Sequence, residues 1–343
     1  MAKKSSILLI YTGGTIGMIN DPISGQLKPF NFKRLLDEVP ELRKFDIKID
    51  TFSFEKPIDS SNMHPAIWIE LVKLIEKNYL KYDGFVILHG SDTMAYTASA
   101  LSFMLENLGK PVILTGSQLP IGTIRTDGKE NLITAIEIAA AKRNGKPSVP
   151  EVCIYFEFKL FRGNRTIKVN AEHFRAFTSP NYPSLADAGV HLNYNDAAIM
   201  HYPKGKLKIH TDMNLNVAVL KLFPGITKEV VDAILGIKNL SAIVLETFGA
   251  GNAPTEKWFV HAIEKAIKNG LIIFNVTQCN AGRVEQGLYQ TSSELARVGV
   301  VGGSDITTEA AITKLMFLTG KEKNHKKIIL QLGENIRGEQ EGK

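Results

Sequence analysis

No stretch of this sequence approaches the run of about 18 apolar residues that a membrane span needs. The longest such runs, 7–11 and 85–88, have the length of buried strands. Cysteine is scarce: Cys153 and Cys279 are the two in 343 residues, too few for a disulfide framework. A reducing compartment is the default for such a chain. Charge of one sign is not in large excess. The 41 basic and 35 acidic residues leave a net +6, and the densest basic stretches, 204–208 and 321–327, carry no aromatic ladder, so a nucleic-acid partner is not expected. Both nucleotide fingerprints, G-x-G-x-x-G and G-K-[ST], are missing from the glycine-rich loops. The first six residues lead straight into a short strand pattern, and the apolar run is too short for a secretory signal. The chain therefore reads as cytoplasmic, with no membrane partner.

What is present is ordinary globular composition, 44% hydrophobic and 22% charged, which excludes disorder as the main state. At about 150 residues per domain the length suggests two domains. Short apolar runs alternate with amphipathic stretches through the first 160 residues. Strands are predicted at 7–12, 46–54, 85–88, 112–115 and 151–158, with helices at 32–39, 65–80, 94–108 and 128–143. That alternation predicts an α/β fold: a larger N-terminal domain with a mostly parallel sheet and helices on both faces. The pattern dissolves near 189–213 and then resumes with strands at 216–223, 242–246 and 271–276 and helices at 227–235, 255–268 and 306–318. The expected division is 1–189, a linker at 190–212, and a smaller C-terminal α/β domain at 213–343.

Ligands of such sheets bind where strands end and loops begin. Two loops there carry chemistry. In Tyr11-Thr12-Gly13-Gly14-Thr15-Ile16-Gly17, the glycines permit close approach of backbone to a ligand and the threonines hold hydroxyls at a strand end. In His89-Gly90-Ser91-Asp92-Thr93-Met94, the polar trio consists of helix-capping residue types. The same trio places a hydroxyl, a carboxylate and free backbone N–H groups where a substrate carboxylate or oxyanion could sit. A third segment, 160–168, ends in Lys168; a lysine held near a carboxylate and a hydroxyl can relay a proton.

These loops resemble the two signatures of the bacterial-type L-asparaginases, in the asparaginase–glutaminase family. Asp59–Met63, Thr115–Pro120, Arg162–Lys168, Gly249–Pro254 and Thr277–Cys279 are similar to its cytoplasmic type I branch, in the same order and over nearly the whole chain. The resemblance implies a two-domain α/β fold and hydrolysis of L-asparagine to L-aspartate and ammonia, without metal or organic cofactor. It also implies self-association as a homodimer or homotetramer, with each active site shared between subunits. Residue by residue, Thr15 matches the nucleophile, and Ser91, Asp92 and Lys168 match the hydroxyl, carboxylate and lysine that support it. Ser60 matches a contact to the substrate α-carboxylate, with Ser91 beside it. Ser61 and Asp92 face the α-amino group, and Ser117 meets the side-chain amide through its backbone. Asn252 matches a residue that reaches the partner subunit's site.

The chain departs from the family pattern in three places. Position 91 is serine where threonine is usual, so the hydroxyl loses the methyl that restricts its rotamer. The segment Ser24–Pro29 lacks the tyrosine that relatives often carry in a lid, and Phe30 is the nearest aromatic. Glu246 stands where some type I members use an arginine to bind asparagine at a second, regulatory site. Glutaminase or D-asparagine activity and a non-catalytic amino-acid sensor are the competing expectations. The related subunit of tRNA-dependent amidotransferases carries an extra N-terminal β-domain and is disfavoured, because the first signature begins at Thr12.

Overall fold

The computed structural model describes residues 4–20, 27–29, 39–287 and 290–342. The helix predicted at 32–39, apart from Val39, and the lid segment 24–26 lie outside the described residues. The chain divides into two units, 1–209 and 210–343. Residues 190–209, read above as most of a linker, go with the first unit, because part of the stretch is hydrogen-bonded into its sheet.

The first unit is built on an eight-stranded sheet. Its strands are β1 (Ser5–Tyr11), β2 (Ile47–Ser53), β3 (Gly84–Leu88), β4 (Val112–Thr115), β5 (Val152–Phe156), β6 (Lys159–Arg162), β9 (Ala186–Ala188) and β10 (Leu192–Tyr194). A separate short ribbon pairs β7 (Ile167–Lys168) with β8 (Phe177–Thr178). The spatial order is β10-β9-β6-β5-β4-β3-β1-β2. From β2 to β5 all pairs are parallel; β6, β9 and β10 add an antiparallel margin.

The central strands β3 and β4 are buried along their whole length. This is why they read as continuous apolar runs and not as an alternation. One face, with Ile7, Leu9, Val86, Leu88 and Ile113, packs on Leu132, Ala135, Ile136 and Ala139 of helix α3 (Gly128–Ala140). Helices α1 (Pro65–Asn78) and α2 (Met94–Met104) contribute Leu71, Ile75, Ala98 and Leu101 to the buried interior. Helix α1 begins with Pro65 at its first position, where a missing N–H costs nothing, and with His64 Nδ1 accepting from Ala66 N at 3.2 Å. Helix α2 stops at Met104, four residues short of expectation. Leu105 and Glu106 instead pair with Lys208 and Ile209, and Asn107 adopts φ 59°.

The second unit carries an all-parallel sheet in the order β11 (Val217–Lys221), β12 (Ala242–Thr247), β13 (Ile272–Thr277), β14 (Val301–Gly302). Helices α4 (Lys228–Leu235) and α5 (Lys257–Lys268) supply Val231, Phe259 and Ile263 to its core, beside Ile243, Leu245 and Ile273. Helices α6 (Gln290–Arg297), α7 (Thr308–Lys321) and α8 (His325–Leu332) complete it; α6 and α8 were not expected.

A buried ion pair closes the C-terminal end of this unit. Lys314 of α7 and Glu339 have fully buried side chains, with Nζ 2.6 Å from Oε1. The ammonium also donates to the carbonyls of Leu332 and Glu334 at 3.1 and 2.6 Å, and Glu339 accepts from Ile336 N and Arg337 N. Removing one partner of such a pair leaves an uncompensated buried charge, whereas replacing both by apolar groups does not. Glu339→Ala is therefore expected to destabilise the chain by about 3–5 kcal/mol in denaturant titrations, and Lys314→Met with Glu339→Leu to recover most of that loss. Equal stability of the single and double variants would contradict this account.

Candidate active site

A parallel sheet sends the carboxyl ends of its strands to one edge. At that edge the chain leaves β1 into 12–17, β2 into 54–61, β3 into 89–93 and β4 into 116–119. The ladder continues past the strand ends: Thr12 N donates to Leu88 O at 3.0 Å, Ile58 N to Thr12 O at 2.8 Å, and His89 N to Thr115 O at 2.9 Å. The Thr12 hydroxyl also donates to Leu88 O at 2.9 Å, so its role is to bind the first loop to the second. Gly14, at φ 91°, lies so close to the second loop that a Cβ there would fall 2.5 Å from Gly90 N. Only glycine fits both the conformation and the space. Thr15 follows at once, in a single turn of tight helix, Thr15–Gly17.

The second loop does not use its polar trio as caps: neither the turn Ser91–Thr93 nor α2 has a side-chain cap. Lys168 Nζ donates instead to Ser91 Oγ at 2.8 Å and to Asp92 Oδ1 at 2.6 Å. The lysine side chain is only 16% exposed, while Asp92 opens toward solvent. Thr93 Oγ1 donates to Ser60 O at 2.7 Å and ties the 54–61 loop to the same group. Ser60 is buried, and Ser61 is exposed, with its N and Oγ both donating to Asp59 Oδ1. Those bonds hold the Asp59 carboxyl below its ordinary range.

Lys168 reaches this edge because the end of β6 is anchored. Arg162 Nε donates to Glu151 Oε2 at 2.7 Å, both side chains being buried, and Arg162 Nη2 donates to Ala198 O. Met200 N donates to the other oxygen of Glu151 at 2.8 Å, and Tyr182 lies under the guanidinium. The chain then turns through Gly163–Arg165 into β7.

The loop after β4 is held by residues that sequence reasoning missed. Asp127 precedes α3 in the position of a cap, yet no side-chain cap bond forms there. Its carboxylate accepts from Gln118 N at 3.1 and 3.0 Å and from Leu119 N at 3.2 Å, and burial pushes its pKa up against those bonds. Asn131 donates to Gly116 O at 3.0 Å, and the Gln118 amide donates to the carbonyls of Ala171 and His173, just past Lys168. Ser117, buried between these anchors, donates to Leu119 O at 2.5 Å. An acidic residue before a helix pattern signals a cap; nothing local signals that it turns back to the preceding loop.

Thr15, Ser60, Ser61, Ser91, Asp92, Ser117 and Lys168 thus share one edge of the first unit. Asn252 belongs to the second, in the turn after β12, where its N donates to Phe248 O at 2.8 Å and its carbonyl accepts from Phe248 N. Tyr11 adjoins the first loop. Its hydroxyl is bonded to Gly17 O, and burial pushes its pKa up to about 12.

This edge, with hydroxyls from two crossing loops and a lysine–carboxylate pair, is that of an amide-hydrolysing α/β enzyme. Residues 6–200 match the family description "Asparaginase, N-terminal", and residues 216–329 match "Glutaminase/Asparaginase C-terminal domain". The chain belongs to the asparaginase–glutaminase family. It is 42% identical to L-asparaginase 1 of Escherichia coli K12 over 98% of both chains. Its fold is similar to that of L-asparaginase I from Vibrio cholerae, with a TM-score of 0.90, 39% identity and coverage of 99% and 100%. The thermostable L-asparaginase of Thermococcus kodakarensis also gives a TM-score of 0.90, at 31% identity over 98% and 100%.

Because one ammonium serves both Ser91 and Asp92, the two contacts should act as a unit. Lys168→Met and Asp92→Asn are each expected to lower kcat/KM by about 100-fold or more, and the double variant to lose little beyond the worse single. Additive losses in the double-variant cycle would show that the pair does not share a function.

Proposed function

We propose that this chain hydrolyses the side-chain amide of L-asparagine, releasing L-aspartate and ammonia, by way of an acyl-enzyme on Thr15. The observation that carries this reading is the three-residue group Ser91–Lys168–Asp92, hydrogen-bonded and set against the loop that holds Thr15.

A threonine hydroxyl is a weak nucleophile and needs a base. In the proposed reaction the Thr15 oxygen attacks the amide carbon, and its proton passes through the Ser91 hydroxyl to Lys168, which enters this step as the free amine and leaves it as an ammonium. Asp92 orients the lysine and balances its charge. The oxyanion is met by backbone N–H groups of the crossing loops. Collapse breaks the C–N bond, and the nitrogen takes that proton back from Lys168 as ammonia leaves. Water then attacks the ester and restores the Thr15 hydroxyl. Ser60 holds the α-carboxylate, Ser61 and Asp92 face the α-amino group, and the Ser117 backbone faces the amide. No cofactor enters this scheme.

The finer readings rest on the resemblance: a cytoplasmic enzyme, acting as a homodimer or homotetramer, with Asn252 completing the site of a partner subunit. Among the described residues, no helix is long and apolar enough to cross a membrane. Ammonia release from asparagine and glutamine separates this reading from a glutaminase and from a sensor. Thr15→Ala should fold normally and lose several orders of magnitude in turnover. Near-normal turnover in the folded variant would sink the assignment.

Regulation by asparagine at a second site is not expected. Glu246 lies in β12, 9% exposed, where its Oε1 accepts from Thr308 Oγ1 at 2.7 Å. Lys221, its register partner on β11, has Nζ 3.5 Å from Oε2. Burial lifts the nearby Glu309 carboxyl to about 7, and the charge of Glu246 adds to that effect. An arginine fork would pair with a ligand carboxylate, whereas here Glu246 itself engages Thr308 and Lys221 and adds an acceptor and a like charge. Saturation by asparagine should be hyperbolic. A Hill coefficient clearly above one would mean that another cation does the work of the arginine.

A further inference from the structure

Behind the second loop runs a buried chain of groups that the proposed reaction does not use. Trp68 Nε1, on α1, donates to Thr97 Oγ1, on α2, at 3.0 Å. Thr97 Oγ1 lies 2.9 Å from His89 Nε2, and His89 Nδ1 lies 2.6 Å from the carbonyl oxygen of Gly90. All three side chains are buried, His89 at 1% exposure.

The chemistry of the partners orders the protons. An indole N–H can only donate, so Thr97 Oγ1 accepts there and keeps its own hydrogen for His89 Nε2. A carbonyl can only accept, so His89 Nδ1 must carry the ring proton. For a neutral ring, all three bonds agree in this one arrangement. Burial also favours the neutral form, pushing the His89 pKa down to about 4.

The peptide that His89 holds, Gly90–Ser91, directly follows the one on which the site's loops meet. Gly14 lies against Gly90 N, as the close approach above requires, and the carbonyl carbon of His89 is also within 2.9 Å of where a Gly14 Cβ would stand. Ser60 lies against Gly90 as well, its Oγ 2.5 Å from where a Cβ on Gly90 would fall. The Gly90–Ser91 peptide is planar and trans, so a carbonyl held toward His89 turns the Ser91 N–H the opposite way. The same plane fixes where the Ser91 side chain starts.

We propose that His89 is a positioning residue for amide hydrolysis: by donating from Nδ1 to Gly90 O it fixes the Gly90–Ser91 peptide, and with it Ser91 against Lys168. The proposal rests on the amidohydrolase reading and adds a residue that touches no substrate. A histidine that merely fills the core would support stability and leave turnover per folded molecule alone.

Two measurements test it. In the wild-type enzyme labelled with 15N-histidine, with His89→Asn used to assign the signal, His89 should be neutral with its proton on Nδ1 from about pH 6 to about pH 8. A charged ring or an Nε2–H tautomer there overturns the proposal. In kinetics, His89→Asn keeps an N–H donor at the place of Nδ1 and should retain turnover to within about tenfold. His89→Leu leaves the carbonyl unpaired and should lose about 100-fold or more in kcat, with KM changed by less than about threefold. Equal kcat in the two variants, or a loss carried in KM, overturns it. If His89→Leu does not fold, His89→Gln carries its amide to the place of Nε2 and leaves Gly90 O unpaired, so it should lose kcat as His89→Leu would, and a kcat equal to that of His89→Asn overturns the proposal. Failure of the wild type to release ammonia would overturn the amidohydrolase reading and leave the ring measurement standing. A wrong tautomer in an active wild type would overturn the positioning role alone.

Discussion

Backbone pairing that continues beyond the ends of the strands is the constraint on which the site depends. A parallel ladder delivers its carboxyl ends to one edge, but strand ends alone do not fix the direction in which loops leave. Here the bonds from Thr12 to Leu88 and from His89 to Thr115 carry the ladder one residue further, and Ile58, five residues past the end of β2, returns to Thr12. Strand order then decides which loops can meet. With β1 between β2 and β3, the Thr15 loop has the Ser60 loop on one side and the Ser91 loop on the other. A sequential order β1-β2-β3 would have put Thr15 at a margin with one neighbour and separated it from Ser91 by a strand.

Around that edge, the charged and amide side chains named above tie segments together. Arg162 and Glu151 join the end of β6 to the stretch around Ala198 and Met200. Asp127 and Asn131 join α3 to the 116–119 loop, and Gln118 joins that loop to the segment after Lys168. Buried ion pairs of this kind add little net stability over apolar packing, because desolvation offsets their attraction. Their effect is geometric: an unsatisfied partner in a low-dielectric interior is costly, so alternative loop placements are excluded. The Lys314–Glu339 pair does the same for the C-terminal tail of the second unit.

How much of this was legible in the sequence follows from the same physics. The parallel strands were, since strands covered on both faces leave unbroken apolar runs at 7–11, 85–88 and 112–115. The antiparallel margin was not, because Lys159–Arg162, Ala186–Ala188 and Leu192–Tyr194 are too short and too polar to show a period. The end of α2 was misjudged because a pairing about a hundred residues away, with Lys208 and Ile209, outweighs the helical spacing of Leu105. At the site, residue types were legible and partners were not. Asp92 and Asp127 both stand where acidic residues cap helices; one turned to Lys168, the other to the loop behind it. Only tertiary contact distinguishes those outcomes from capping.

Ser91 shows how these layers depend on one another. A threonine in its place would owe part of its rotamer to its own β-branch, which narrows χ1 before any partner is considered. Serine carries no such restriction, so its hydroxyl must be placed from outside. Two contacts do this: the ammonium of Lys168 at 2.8 Å fixes where Oγ ends, and the Gly90 peptide fixes where the side chain begins. The first depends on the Arg162 anchor that sets the start of β7. The second depends on His89, and through it on Thr97 and Trp68 of two helices packed on the sheet. Losing one methyl at position 91 thus moves the burden of preorganisation from a covalent restriction to a network of hydrogen bonds. That network spans α1, α2, β3 and β7, so the precision of the hydroxyl depends on how firmly the first unit is folded as a whole.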